Sequence, residues 1–238
     1  VLKRELRGYA DDLKSVQALY VAQQVIQLVK RQGVDELVTK RVDFLTGYQN
    51  AAYAAEYKAF VDKVRAAEAK LGGTTKLTEA VARYLFKLMA YKDEYEVARL
   101  HTDAAFTSKI AGMFEGDYKL VHHLAPPLLA KKNAKGELVK QQMGAWIRPA
   151  FGVLAKLKGL RGTAFDIFGH TAERKMERRW IADYRAGIDK ALAGLSAETL
   201  ATAVELARVP EDIRGYGHVK ERHEKVARAK WDALIAKV

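Results

Sequence analysis

From Leu2 to Arg31 the chain places Leu6, Tyr9, Leu13, Val16 and Tyr20 at three- and four-residue steps, which predicts a helix with one apolar stripe. Gly33 supplies its stop. A second helical run covers Val34 to Leu71 through Leu37, Val38, Leu45, Tyr48, Tyr53, Tyr57, Phe60 and Val64. Gly47 and Asn50 are the points at which it divides or bends, and Gly72-Gly73 ends it. A third helix is predicted from about Thr78 to His101. Spacing its residues ~100° apart gives two apolar stripes. Tyr84, Leu88, Tyr91, Tyr95 and Ala98 form one, and Phe86, Met89, Val97 and Leu100 form the other on nearly the opposite side. Arg83, Lys87 and Glu94 leave only a narrow polar face. A helix apolar almost all round belongs in the middle of its domain.

A short helix over Ala104 to Phe114 follows, and the texture then changes. Glu115 to Lys140 holds Gly116, the Pro126-Pro127 pair and the polar turn Lys131 to Gly136. Val121 to Leu124 reads as extended, with Gly136 turning a small hairpin into Leu138-Val139. Helical patterning returns at Ala145 to Leu157, where Pro149 is tolerated in a first turn. Gly159 to Gly169 reads as a loop. A long helix from Thr171 to Ala193 comes next, then one capped by Ser196 and running to Arg208. Pro210 and the Gly215–Gly217 pair break the chain before a final helix, Val219 to Ala236. No fixed period recurs. The expected fold class is all-α: a multi-helix bundle around a central buried helix at about 78–101, with a small irregular or hairpin insertion near 116–140.

Composition narrows the chemistry. The 238 residues are 49% hydrophobic and 29% charged, with four prolines, a globular and helix-forming vocabulary. Cysteine is absent, which excludes disulfides and any thiolate or iron–sulfur site built from this chain alone. No run approaches the ~20 apolar residues of a membrane span, and the start carries no signal-peptide core. A cytoplasmic location is expected. The chain opens on Val1 without an initiator Met, so part of a longer protein is expected. The formal charge of +12 favours an acidic partner: nucleic acid, an anionic membrane or an acidic protein. The excess is dispersed, without a polybasic block, so a solvated basic surface is the simpler reading.

Two charge arrangements are more specific than the total. Lys92, Glu96 and Arg99 fall within ~60° of one another on the predicted central helix, a + − + ladder beside apolar residues. It forms either a satisfied internal ion ladder or the lining of a cavity or docking surface, because a buried charge needs a partner. On the helix from Thr171, Met176, Ile181, Tyr184, Ile188, Ala191 and Leu195 share an apolar arc of about 140°, and Glu173 and Glu177 fall inside it. Glu173 suits a first turn. Glu177 requires a cation, and Arg148 and Arg161 are the expected candidates. Two carboxylates four residues apart also raise the alternative of acid–base work or metal binding, although no further ligands stand at a recognisable spacing. Arg174, Lys175, Arg178, Arg179 and Arg185 form the basic side of the same helix, with Asp183 and Asp189 interleaved.

Other chemistries find little support. Six histidines occur without an HExxH or HxH motif. His122 and His123 face opposite ways if extended, and His218 and His223 lie ~140° apart on a helix. No Gly-x-Ser-x-Gly elbow or phosphate-cradling glycine loop is present. Neither catalytic, cofactor-binding nor metal-binding residues are therefore assigned.

Several long blocks carry a resemblance. They are Leu77 to Leu100 (beginning Leu-Thr-Glu-Ala-Val-Ala-Arg-Tyr), Phe114 to Leu120, His123 to Leu128, Leu157 to Gly162, Phe165 to Arg178 and Val204 to Gly217. Together they resemble the C-terminal helical domain of the fused indolepyruvate (2-oxoacid) ferredoxin oxidoreductases. Arg41 to Glu68 is similar to the segment leading out of the preceding catalytic domain. This divides the chain into an unassigned helix at 1–33, a lead-in at 34–73 and the helical domain at 74–238. The resemblance implies a parent enzyme that oxidatively decarboxylates an aryl 2-oxoacid to acyl-CoA and reduces ferredoxin. Thiamine diphosphate, Mg²⁺ and a 4Fe–4S cluster are expected in other domains of that parent, and none in this segment. The expected partners are those domains, in an oligomer, and ferredoxin docked on Arg174, Arg178 and Arg179; no membrane contact is expected. The alternative function is a basic helical nucleic-acid-binding protein.

Overall fold

The computed structural model describes residues 33–72, 74–116, 119–124, 139, 141–215 and 217–238, with residues 123 and 124 described by backbone alone. The expected N-terminal helix, the proline pair and the Lys131–Gly136 turn lie outside the described residues. The fold is all-α, as the periodicity predicts. Its helices are α1 Val34–Tyr48, α2 Ala51–Ala69, α3 Lys76–Met89, α4 Glu94–Thr102, α5 Ala104–Ala111, α6 Ile147–Lys156, α7 Ala172–Ala193, α8 Leu200–Arg208 and α9 His218–Ile235. Single 3-10 turns follow α6 and α8, at Leu157–Leu160 and Val209–Asp212.

Asn50 divides the first long helical run. Its side-chain oxygen accepts from Tyr53 N at 2.9 Å, so α2 starts there rather than continuing α1. The start of α3 is capped from a distance. Thr75 makes no side-chain cap; instead Glu68, fully buried near the end of α2, accepts from Leu77 N (2.9 Å), Thr78 N (2.8 Å) and Thr78 Oγ1 (2.6 Å). A carboxylate at a helix N-terminus answers both the unpaired N–H groups and the helix dipole.

The expected central helix is two helices. The chain leaves the helical path after Met89 and re-enters it at Glu94, so residues 78–101 form α3, a break at Ala90–Asp93, and α4. Asp93 accepts from Glu96 N at 2.8 Å and stands outside the helix as its N-cap. The break does not sort the two predicted stripes between cores. Leu88 and Met89, on opposite stripes, both enter a main core shared by α1, α2, α3, α7, α8 and α9, while Ala98 of α4, on the same stripe as Leu88, enters a second, smaller core with Met143, Ile147 and Phe151. One straight helix cannot face both. Helices on either side of residue 73 share the main core, Tyr57 and Val61 of α2 packing with Leu77 and Leu85 of α3.

The insertion is a two-stranded antiparallel sheet, β1 His122–Leu124 pairing with β2 Gln141–Met143 in the register His122 to Met143. The second strand lies beyond the expected Leu138-Val139. Ser196 caps a turn rather than α8: its hydroxyl accepts from Thr199 N at 3.3 Å, and α8 begins at Leu200.

Close approach of α7 and α9 needs Gly187. A Cβ there would sit 2.3 Å from Trp231 Cζ2 and 2.9 Å from Ile235 Cδ1. Gly187→Ala should therefore destabilise the fold by about 1–3 kcal/mol, overpacking outweighing the helix-propensity gain. A fall in urea midpoint at unchanged slope is the expected result.

The second core is closed by imidazoles. His101 stacks on Phe151 (centroids 5.4 Å, 17°), and His122 meets His101 edge-on at 4.8 Å. His101 Nδ1 and His122 Nε2 are buried without a hydrogen-bond partner. Burial pushes both below their ordinary value of 6.5, helped by His122 and Lys92 acting on His101 and by Arg148 acting on His122. The folded state thus disfavours both imidazolium forms, while the unfolded chain takes up protons below about pH 6.5. Stability contributed by this pair is complete above that pH and is lost as the pH falls below it. Urea midpoints measured at neutral and mildly acidic pH should diverge between wild type and a His101→Phe/His122→Phe variant, the variant being less acid-sensitive; parallel curves would refute the assignment.

Candidate functional site at the helix break

A broken helix leaves carbonyls without partners, and the break between α3 and α4 collects polar contacts from distant parts of the chain. Tyr53 donates its hydroxyl to Met89 O at 3.0 Å, and Tyr48 donates to Tyr91 O at 2.8 Å. Arg174 Nη2 reaches Lys92 O at 3.3 Å. Burial pushes the Tyr48 phenol well above its ordinary pKa, so it stays a hydrogen-bond donor.

Arg161 occupies the centre. Its side chain is 4% exposed and grips Asp93 with two bonds, Nε to Oδ2 at 2.5 Å and Nη2 to Oδ1 at 2.9 Å. Nη1 donates to Tyr48 O at 2.6 Å and to Gln49 Oε1 at 2.7 Å. The guanidinium also lies over the Tyr48 ring, 3.7 Å from its centroid. Burial opposes its charge, but the Asp93 hydrogen bonds and the neighbouring Tyr48 raise its pKa above the ordinary value. A single side chain thus ties the end of α1, the break and the loop after α6.

That loop is itself held by a carboxylate. Asp166 is 3% exposed. It accepts from Gly162 N (2.8 Å), Gly169 N (3.0 Å), Phe168 N (3.2 Å) and Tyr95 Oη (3.2 Å). Gly169 must lack a side chain, since a Cβ would fall 2.3 Å from Asp166 Oδ2.

Of the expected ladder, Glu96 and Arg99 share the helix and pair with each other. Arg99 Nε and Nη2 each bond Glu96 at 2.8 Å, with Glu96 3% exposed. Lys92 stands in the break instead of on the helix, because the capping Asp93 ends the wheel on which the three charges aligned. Glu177 is buried, as its place in the apolar arc predicts, but its partners differ from those expected. Arg174 bonds one oxygen and Lys220 of α9 the other. Arg161 is committed to Asp93, and Arg148 is exposed. Glu173 lies 3.6 Å from Lys220, so both carboxylates of the suspected pair face one lysine. Glu94 lies 3.9 Å from Arg174 Nε, with Oε2 lacking a hydrogen bond; burial raises its pKa.

The arginines expected to dock an acidic partner do not form one surface. Arg174 is 11% exposed and spent on Glu177, and Arg178 donates to Gly169 O at 2.5 Å. Arg179 alone of the three is exposed. A periodic wheel shows only which side of a helix is polar. The elements that cover it, here the break and α9, were outside its reach.

A cleft of about 280 Å³ opens beside the break, with Leu88, Met176 and Trp180 in its apolar wall and Lys87, Arg214 and Lys220 at its rim. The rim cations already have acceptors: Lys87 on Pro210 O at 2.7 Å, Arg214 Nε on Glu211 O at 3.0 Å, and Lys220 on Glu177. Among the described residues no group of three or more His, Cys, Asp or Glu side chains is placed to hold a metal ion. With no cysteine in the chain, its residues do not fit an iron–sulfur cluster either.

Comparison with known families places the chain. The model of a family of unknown function, DUF6537, matches residues 34–233, and the chain belongs to that family. No curated protein and no solved structure matches it.

Removing Arg161 strands a buried carboxylate, so Arg161→Met should cost about 3–5 kcal/mol. Arg161→Lys should recover little, because an ammonium cannot reproduce the two-pronged grip. Pairing Arg161→Met with Asp93→Asn should restore part of the loss. Urea unfolding of these three variants and of Asp93→Asn alone checks this, and an additive double variant would show that the two side chains are not coupled.

Proposed function

We propose that the chain is an accessory, non-catalytic helical domain of a thiamine-diphosphate-dependent indolepyruvate (2-oxoacid) ferredoxin oxidoreductase of the cytoplasm, serving assembly of the parent enzyme. The reading begins from the sequence blocks that resemble that family's C-terminal domain. One structural observation supports the non-catalytic part: Glu177, the strongest catalytic candidate, has a cation on each of its oxygens, and a carboxylate neutralised in this way is a poor proton acceptor for a substrate. Asp93, Glu96 and Asp166 are likewise consumed by the fold. In this reading, thiamine diphosphate with Mg²⁺ and the 4Fe–4S cluster supply the chemistry in other domains, and this segment's role is to present a rigid surface to them. Ferredoxin docking would have to rest on Arg179 without Arg174 or Arg178, so the partner domains of the parent are the favoured contacts. Among the described residues no helix is long and apolar enough to cross a membrane.

The test uses the complete polypeptide that contains this segment. It should reduce a viologen dye with indolepyruvate, CoA and thiamine diphosphate, whereas the 238-residue chain alone should not. Glu94→Gln and Glu173→Gln should leave kcat within about twofold. Activity of the isolated chain, a tenfold loss of kcat in either variant, or a reading frame without a thiamine-enzyme region would each overturn the proposal. Steeply salt-dependent, micromolar binding of oligonucleotides by the chain would favour the nucleic-acid alternative instead.

A further inference from the structure

Helix α6 is apolar on two sides. Ile147 (8% exposed) and Phe151 (7%) enter the second core. About a third of a turn away, Val153 and the residues flanking the helix, Trp146 and Leu157, are 61%, 67% and 43% exposed. At ~100° per residue Val153 and Leu157 fall about 20° to either side of Trp146 on the wheel, with the exposed Ala150 about 40° from it completing the row. The steps 146, 150, 153 and 157 alternate four and three, the spacing of a seam made to receive another helix. Ala150 between Trp146 and Val153 leaves the low point that such a seam uses for a facing side chain.

The loop that follows adds to this face by construction. Asp166 turns inward to accept from Gly162 N, Phe168 N and Gly169 N. Its neighbours Phe165 and Ile167 are thereby held outward, 77% and 65% exposed. Large apolar side chains fixed in water by a hydrogen-bonded turn are an arrangement that folding alone does not favour. The charge of the stretch is one-sided. From residue 141 to 172 the charged residues are Arg148, Lys156, Lys158, Arg161 and Asp166. Arg161 and Asp166 are buried and Lys158 donates to Gly47 O, so the exposed charges are the positive Arg148 and Lys156. Lys156 borders the seam, about 80° from Trp146.

We propose that the Trp146–Ala150–Val153–Leu157 seam, with Phe165 and Ile167 beside it, is a docking surface for an amphipathic helix with acidic flanks. The apolar row sets the shape of the partner, and the exclusively basic exposed charge sets its sign. The inference stands on these residues and does not depend on the identity of the parent enzyme.

Trp146 is its own reporter, since Trp180 and Trp231 are 1% and 4% exposed. The full chain is titrated with a synthetic peptide of about four heptads carrying Leu at the seam positions and Glu on the flanks, and with its Lys-flanked counterpart. The Glu peptide should blue-shift the emission and shield Trp146 from acrylamide, with a Kd tighter than about 100 μM that weakens as salt is added. The Lys peptide should bind at least about tenfold more weakly. Val153→Asn, and separately Phe165→Ser with Ile167→Ser, should weaken the Glu peptide by a similar factor at unchanged helicity, which circular dichroism checks. Equal binding of both peptides, or of neither, overturns the proposal. So does shielding of Trp146 by phosphatidylglycerol vesicles without peptide binding, which would assign the face to a membrane surface. Shielding already complete in the chain alone, whether by its own residues or by a concentration-dependent second copy, overturns it as well.

Discussion

A guanidinium withdrawn from water must find acceptors for its N–H groups, and Arg161 finds them on Asp93, Tyr48 and Gln49. Those three belong to two separate stretches of chain, and the donor belongs to a third. Desolvating both charges costs several kcal/mol per ion unless geometry and further hydrogen bonds offset it, and here both kinds of compensation are present. The bidentate grip fixes Asp93, Asp93 fixes the first turn of α4, and the position of α4 decides where the second core can form. Tyr48 contributes three times, through its carbonyl on Arg161 Nη1, its ring under the guanidinium and its hydroxyl on Tyr91 O. Loss of this one ion pair would free the two cores from their common joint.

How far the sequence reaches depends on what each element answers to. α7 answers to a single apolar arc and a Thr cap, and its predicted limits, Thr171 to Ala193, agree with Ala172–Ala193. Asn50 announced itself as a divider because a side-chain cap is a local interaction. The break at Ala90–Asp93 was hidden by its own surroundings: Tyr84, Leu88, Tyr91 and Tyr95 continue a helical period straight through it. The missed signal was Asp93 three residues before Glu96, with Glu94 between them, which is a helix-start pattern. Nothing local could have shown that the freed carbonyls would be met by Tyr48, Tyr53 and Arg174. For the same reason the apolar arc marks Glu177 as a buried charge but does not point to its partner Lys220, 43 residues further on.

The net charge of +12 gives a misleading picture of the surface. Arg161, Arg174 and Arg178 are turned inward, onto Asp93, Glu177 and the Gly169 carbonyl respectively. What solvent meets is a mixture. Lys58 pairs with Asp62, Lys63 with Asp189 and Lys40 with Glu36, exposed pairs that each contribute little to stability. The field that remains is therefore best described region by region, and in the stretch around α6 the exposed charges share one sign.

The Glu68 cap and the Arg161 clamp also set a timetable. Glu68 closes on Thr78 across only ten residues, a loop that forms quickly once α2 and the next turn exist. Arg161 reaches Asp93 across 68 residues, and on a ribosome it emerges long after the α3–α4 junction it must secure. Until then Asp93 stays hydrated and α4 has no fixed direction. The junction is consequently a late-closing contact, and the nascent chain passes through a stage in which the start of α3 is already capped while its far end still awaits the residue that will anchor it.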